Sequence, residues 1–307
     1  MRTPPFVKKE MMIRKGKFWK TESTFAYLLL LPATVFLIVF MFYPIFSVIL
    51  MSFFQVNRLG QLMAFDPLGN YRFLAGRPDF WQIIIRTCVW TALSVSVKTA
   101  IGLIIALLLN IKFTGRKLAR TLVIIPWASS VPISAMMWQW TYNADFGLLN
   151  HTLRVLGISD PPIWLAFPRT AFLANIWVDI WCGIPFMALV FLAGLQAIPQ
   201  ELYEAAEVDG ATSWLKFRYV TMPLLSGIMI VATLLSTLWT FNSFNIIWIL
   251  TMGGPAGTTD ILVTHIYRYS FLYQRWGPAA AMAVITFMML LTVSIAYARR
   301  YFREGAA

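Results

Sequence analysis

Acidic residues are scarce. Asp and Glu number 13 in 307 residues against 25 Lys and Arg, and the four charged types together make up 12% of the chain. An ordinary soluble domain carries about twice that share, so water is not the main solvent of this protein. Cysteine is almost missing as well. Cys88 and Cys182 both fall inside apolar runs, which excludes a disulfide framework or a zinc spacing and leaves packing as their role. His151 and His265 have no partner at a metal-ligand spacing, so both read as ordinary polar residues and no metal site is expected. No Gly-x-x-x-x-Gly-Lys-Ser/Thr segment occurs anywhere, so the chain does not hydrolyse ATP alone. Polar blocks large enough to fold separately are also lacking. Length would allow roughly two soluble domains, yet the pattern leaves one membrane domain.

What is present is apolar: 59% of the residues. A membrane helix needs about 20 such residues in a row, and six segments qualify, near 26–54, 83–110, 119–141, 168–195, 223–251 and 278–300. They read as helices because backbone groups in lipid must be satisfied within the segment. Strands of a barrel would alternate, whereas Ile101 to Leu109 is apolar at consecutive positions. The first run is far longer than the ~7–15-residue core of a signal peptide, so it is expected to stay as an anchor. The expected fold class is all-α, a polytopic bundle of six transmembrane helices.

The net charge of +12 does not build a basic face suited to nucleic acid, because Lys and Arg cluster in short segments beside the apolar runs. Arg2, Lys8, Lys9, Arg14, Lys15, Lys17 and Lys20 precede the first run; Lys112, Arg116, Lys117 and Arg120 join the second and third; Arg299, Arg300 and Arg303 close the last. Cytoplasmic loops carry such an excess, so both termini are expected in the cytoplasm. The expected organisation is a basic cytoplasmic tail over 1–25, a transmembrane domain over 26–300 and a cytoplasmic tail over 301–307. The loop 196–222 is then cytoplasmic, and 55–82, 142–167 and 252–277 lie outside.

That cytoplasmic loop has helix punctuation. Pro199 suits a first helical position, Glu201 and Glu204 the N-terminal half, and Gly210 the residue past the end. Ser213 suits the cap of a second helix running to about Val220, with Pro223 marking the turn into the fifth span. Glu204-Ala205-Ala206, three residues, Gly210 and then Met222-Pro223-Leu224 resemble the EAA loop of ABC importer permeases. The resemblance implies that the first helix of this loop, with Glu204, Ala205, Ala206, Asp209 and Gly210, docks on a cytoplasmic ATPase subunit as a coupling helix. An ordinary connecting amphipathic helix is the plain alternative. ATP and Mg would be held by that partner, with no cofactor on this chain.

A second resemblance narrows the class. Leu250-Thr251-Met252-Gly253-Gly254-Pro255, Thr258-Thr259-Asp260 and Ile266 to Phe271 are similar to the outer loop of carbohydrate permeases, although Gly-Gly-Pro is also an ordinary turn. Leu30-Leu31-Pro32-Ala33, Phe42-Tyr43-Pro44, Ile125-Pro126 and Val131-Pro132 fit the same pattern. The resemblance implies a second, homologous permease subunit, an ATPase dimer, an extracytoplasmic solute-binding protein, a sugar or sugar-derivative substrate, with a glycerol phosphate, a polyol or another non-sugar solute as the alternative, and a bacterial or archaeal inner membrane. Compared with the maltose system the chain is expected to lack extra N-terminal spans and a large external domain, which puts maltose itself in doubt.

Aligning Gly183-Ile184-Pro185 and Gly253-Gly254-Pro255 with the family carries its substrate-contact positions onto Asp179, Gly183 and Phe186, and onto Ser236, Thr240 and Ser243. The maltose-type pattern has Asn where this chain has Asp179, Thr240 and Ser243. Neutral polar groups beside aromatic surfaces suit a sugar, and the spacing of Ser236, Thr240 and Ser243 suits one helical face. Hydrogen bonding between helices explains the same hydroxyls. Lys98 and Asp179 stand out as intramembrane charges, each costing at least ~2.5 kcal/mol at mid-membrane without water or a partner. Similar depth allows them to pair; each facing the central path separately is the alternative. Leu149, Leu153 and Leu156 at helical spacing, with Asn150 and Arg154 between them, predict an interfacial helix between Gly147 and Gly157.

Two other classes compete. An ion-coupled secondary transporter would use Lys98 and Asp179 for coupling, but it needs internal repeats that the two halves do not show. A membrane-bound enzyme needs paired carboxylates, spaced histidines or a nucleophile with its base, and none recurs near one face, so no catalytic residue is expected.

Overall fold

The apolar runs become helices in a computed structural model that describes residues 24–304. The basic residues from Arg2 to Lys20, and the tail beyond 304, lie outside that range. Among the described residues five helices are long and apolar enough to cross a membrane, and a sixth crossing is available if one bent pair is counted together. Helix α1 covers Thr24–Ser52. A short hairpin follows, β1 Phe54–Val56 and β2 Leu62–Phe65, antiparallel with Phe54 opposite Phe65. It closes on Asn57, whose side-chain oxygen accepts the N–H groups of Leu59 and Gln61. The next elements are α2 Gly69–Ala75, α3 Pro78–Asn110, α4 Arg116–Ala128, α5 Val131–Thr141, α6 Leu148–Val155 and α7 Pro168–Ala197. Then come α8 Gln200–Val208, α9 Ser213–Phe241, α10 Phe244–Thr251, α11 Leu262–Tyr267 and α12 Trp276–Glu304.

Helices α3 and α7 form the central pair. They can approach because Gly102 has no side chain: a Cβ there would stand 2.5 Å from Cβ of Met187. Small residues at such contacts are how membrane helices pack without a hydrophobic driving force. Around the pair lie three buried clusters. The first gathers Trp90, Ala174, Val178, Ile247 and Ile261; the second Phe80, Ile83, Leu262 and Met282; the third Ala106, Leu109, Phe191 and Leu225. The most apolar stretch of helix α1 is not buried, whereas its Tyr43–Ser52 part packs against α12. Its C-terminal end is moored through Asn70, whose amide donates to the carbonyls of Ser52 and Phe54.

Three expectations about the spans require correction. The third apolar run is not one rod. Helices α4 and α5 meet at 95°, with Ser129 and Ser130 extended between them, because Pro132 has no N–H for the Ala128 carbonyl four residues earlier and its ring would crowd that carbonyl in a continuous helix. The fifth run, expected as 223–251, ends its first helix at Phe241 and restarts at Phe244. At its inner end the same helix begins earlier than expected. Pro223 marks no turn: α9 runs unbroken from Ser213 through a wide π turn at Phe217–Thr221, where the Met222 N–H reaches back to the Phe217 carbonyl. An identical turn at Ile38–Phe42 precedes Pro44, with the Tyr43 N–H on the Ile38 carbonyl. Proline lacks the N–H that the carbonyl four residues earlier expects and its ring crowds that carbonyl, and the wider turn moves the carbonyl aside.

Candidate functional site

The residues of the loop expected to be cytoplasmic sit on α8. Pro199 is the extended residue ahead of the helix and not its first turn, and Thr212, not Ser213, caps α9 by accepting the Leu215 N–H. At the far end Gly210 has φ +75°, the left-handed geometry glycine adopts without strain. The Gly210 and Ala211 N–H groups donate to the carbonyls of Glu207 and Ala206 at 3.0 and 2.9 Å, closing the helix as a left-handed C-terminal cap does. Lys216 Nζ lies 2.6 Å from Glu207 Oε1, and the Tyr203 and Thr221 hydroxyls are 3.0 Å apart, so α8 is clasped against the start of α9. Glu204, Ala205 and Asp209 remain exposed and Ala206 half-buried. Beside them Val208 is 89% exposed and Trp214 67%, an apolar surface unusual for a polar loop.

Within the membrane, α3, α7 and α9 bring three of the singled-out side chains together. Lys98 Nζ donates to Asp179 Oδ2 at 2.7 Å and to Thr240 Oγ1 at 2.6 Å, and the Thr240 hydroxyl donates to the same carboxylate oxygen at 3.3 Å. All three residues are buried. Gly183 makes room for the lysine: a Cβ there would stand 2.6 Å from Lys98 Cδ. Trp90 fixes the third corner by donating its indole N–H to the Thr240 carbonyl at 2.9 Å. Breaking a buried pair of this kind by removing one partner costs about 3–5 kcal/mol, because the other charge is stranded. One turn deeper, Phe186 and Trp239 meet edge to face with centroids 4.9 Å apart. Ser236 is buried in α9, but Ser243 lies in the break beyond Phe241, so the helical face expected to join it to Ser236 and Thr240 does not extend that far.

A second polar knot, between the N-terminal part of α3 and α11, went unrecognised in the sequence. Buried Asp260 faces His265 Nδ1 at 2.8 Å and Arg268 Nε at 3.5 Å, and its other oxygen accepts the Thr264 hydroxyl. Arg86 reaches across from α3 to the carbonyls of Gly257 and Asp260 at 2.7 and 2.9 Å. His265 is therefore not the plain polar residue it appeared to be. The available signal was the spacing of Asp260, Thr264, His265 and Arg268 around one helical face, together with Arg86 as a further charge inside an apolar run. Nearby, burial raises the Tyr269 phenol above its ordinary value. Burial also raises the Tyr142 phenol, which donates to the Ala174 carbonyl at 3.3 Å.

Helix α6 forms where the leucine spacing predicted it. Asn150 is its buried residue, accepting the Trp164 indole N–H at 2.7 Å. Among the described residues no group of three or more His, Cys, Asp or Glu could hold a metal ion.

The family described as "Binding-protein-dependent transport system inner membrane component" matches residues 98–303. A "Probable ABC transporter permease protein" of Brucella suis biovar 1 is 40% identical over 279 residues, covering 91% of this chain and 96% of the relative. The trehalose/maltose transport system permease protein MalF of Thermococcus litoralis is 38% identical over 276 residues, covering 90% and 93%. Among solved structures, a chain of a bacterial ABC transporter involved in the import of the acidic polysaccharide alginate superposes with a TM-score of 0.83 at 24% identity, covering 94% of this chain and 99% of that one. At that identity the likeness concerns the fold.

Proposed function

The chain belongs to the family of binding-protein-dependent transport system inner membrane components, multi-pass membrane permeases of ABC transporters, and from that membership we propose that it forms half of an ATP-driven import path for a sugar or sugar derivative. Whole-length similarity to a trehalose/maltose permease supports the solute class. The other half of the path is a second, homologous permease subunit, hydrolysis takes place on a pair of cytoplasmic ATPase subunits that hold ATP and Mg, and an extracytoplasmic binding protein delivers the solute.

The observation that carries this reading is α8 with its left-handed stop at Gly210. A short helix clasped to the root of α9 by Glu207–Lys216 and Tyr203–Thr221 moves with that helix as one lever. Its outer surface, with Glu204, Ala205 and Val208 exposed, is open to a partner. Two small side chains at positions 205 and 206 allow the partner's backbone to come close. A push on α8 passes along α9 without a hinge as far as Asn242, and so arrives at Thr240, Asp179 and Lys98. The work performed is alternating access, in which ATP binding and hydrolysis change the relative stability of two arrangements.

Vesicles containing both permeases, the ATPase and the binding protein test this through ATP-dependent sugar uptake. Gly210→Pro and Glu204→Lys are expected to abolish uptake while the chain still inserts, and to release the ATPase from the purified complex. Uptake that continues without the ATPase, or that ignores both substitutions, would sink the reading and bring an ion-coupled transporter forward.

A further inference from the structure

The solute positions carried over by resemblance are not free. Asp179 and Thr240 are both bonded to Lys98, and Gly183 has its open side filled by the same lysine's methylene stem. Lys98 comes from α3, which contributes none of those positions. Its side chain is 5% exposed and that of Asp179 8%, so water does little to screen either charge. The two cancel at contact distance, and the path at this depth presents no net charge from this subunit. Around the pair the remaining groups are neutral. Buried on the same face of α3, four and seven residues before Lys98, Ser94 and Thr91 have hydroxyls without a hydrogen-bond partner. On the open side, Trp239 is 55% exposed and stacked at its edge with Phe186.

We infer that Lys98 is the positioning residue that sets the charge class of the solute: by neutralising Asp179 and engaging Thr240 it makes this half of the path accept uncharged carbohydrate and refuse uronic or other acidic sugars. The inference rests on the carbohydrate reading above and deepens it. An acidic sugar reaching Lys98 would have to displace Asp179, stranding a buried carboxylate with like charge beside it. A neutral sugar displaces nothing; its ring faces meet the exposed Trp239 indole. Specificity arises here from the penalty on the wrong ligand as much as from contact with the right one.

The test omits the binding protein, so that only the membrane site selects. The two permeases and the ATPase are held in nanodiscs, and equilibrium binding is measured for two probes: mixed neutral oligosaccharides of two to five units, and mixed oligouronates of the same lengths. The wild-type complex is expected to hold the neutral probe at least tenfold more tightly. Asp179→Asn leaves Lys98 as a lone buried cation and is expected to shift the ranking at least tenfold towards the uronates. Lys98→Gln shifts it the opposite way, and the double variant returns to the wild-type ranking. A purely structural pair would lower assembly in the single variants without moving the ranking. The inference is overturned by a wild-type preference for uronates, or by an unchanged ranking in assembled complexes of both single variants. Failure of the wild type to bind either probe overturns the carbohydrate reading itself, and the inference with it.

Discussion

Gly253 stands at φ +79°, and a Cβ there would approach Asp260 Oδ1 to 2.8 Å and Arg268 Nη2 to 3.0 Å. Two separate demands therefore fall on one glycine, the left-handed backbone and the space taken by the outer polar knot. Gly257, four residues on, has φ +75° with nothing within 4 Å of the same added carbon, so only the backbone demand applies. A left-handed conformation costs an ordinary residue about 1–2 kcal/mol. Displacing a hydrogen-bonded buried carboxylate adds to that, since a buried group deprived of its partner costs about 1–3 kcal/mol more. Gly253→Ala is accordingly expected to lower the melting temperature of the purified chain clearly more than Gly257→Ala. Equal losses in the two variants would mean that the Asp260 cluster contributes nothing to the tightness of this turn.

At the scale of the element, the break between α9 and α10 shows what sequence pattern reaches and what it does not. Hydropathy reads 223–251 as one run because every turn of it is apolar, and no Gly or Pro marks Asn242 or Ser243. The helix stops because its carbonyls are taken by other donors. The Asn242 side chain occupies the Leu238 carbonyl, and the Trp90 indole occupies that of Thr240. The Phe244 N–H, due at the Thr240 carbonyl, bonds to Asn242 instead. Trp90 is 150 positions away in the sequence, so local reading cannot find this stop. By contrast α8 was legible with its ends nearly right, because Gly210 and the acids near its start act locally. The Lys98–Asp179 contact was readable as one of two alternatives from depth alone; Thr240 as its third member was not, nor was the Asp260 knot, which needs α3 and α11 side by side. Trp90→Phe keeps the ring and removes the donor. It is expected to destabilise the chain by about 0.5–1.5 kcal/mol, the net worth of one hydrogen bond, because the Thr240 carbonyl keeps the Ser243 N–H at 3.1 Å; the loss is read as a fall in the melting temperature of the detergent-solubilised protein. No loss would show that the break stands without that indole.

For the whole molecule the open question is which way the bundle faces, and charge and structure bear on it independently. Lys112, Arg116, Lys117 and Arg120 lie at the junction of α3 and α4, on the same side of the bundle as α8: Arg116 Nε donates to the Leu109 carbonyl at 2.6 Å, and Gln196, with its amide oxygen turned towards them, accepts from Arg120 and Arg116 at 2.6 and 3.2 Å. The hairpin β1–β2 and the Asp260 knot are at the other side, the hairpin tied to the start of α12 by the Trp276 indole donating to the Arg58 carbonyl at 3.0 Å. Positive residues are retained on the cytoplasmic side of short loops, so α8 is expected to face the cytoplasm and the hairpin the outside. Two highly exposed positions report on this, Leu59 in the hairpin turn at 83% and Val208 on α8 at 89%. In a background carrying Cys88→Ala and Cys182→Ala, a membrane-impermeant maleimide added to intact spheroplasts is expected to label Leu59→Cys at once, and Val208→Cys only after permeabilisation. The reverse pattern would place α8 outside, where no ATPase could reach it, and would remove the mechanical basis of the proposed import cycle. Labelling of both positions from outside would mean an even number of crossings between them, α3 and α7 alone with the bent pair α4–α5 failing to cross; labelling of Val208→Cys only from within, with Leu59→Cys open to the outside, requires α4 and α5 together to cross once, so the same measurement decides whether the 95° pair is a true span.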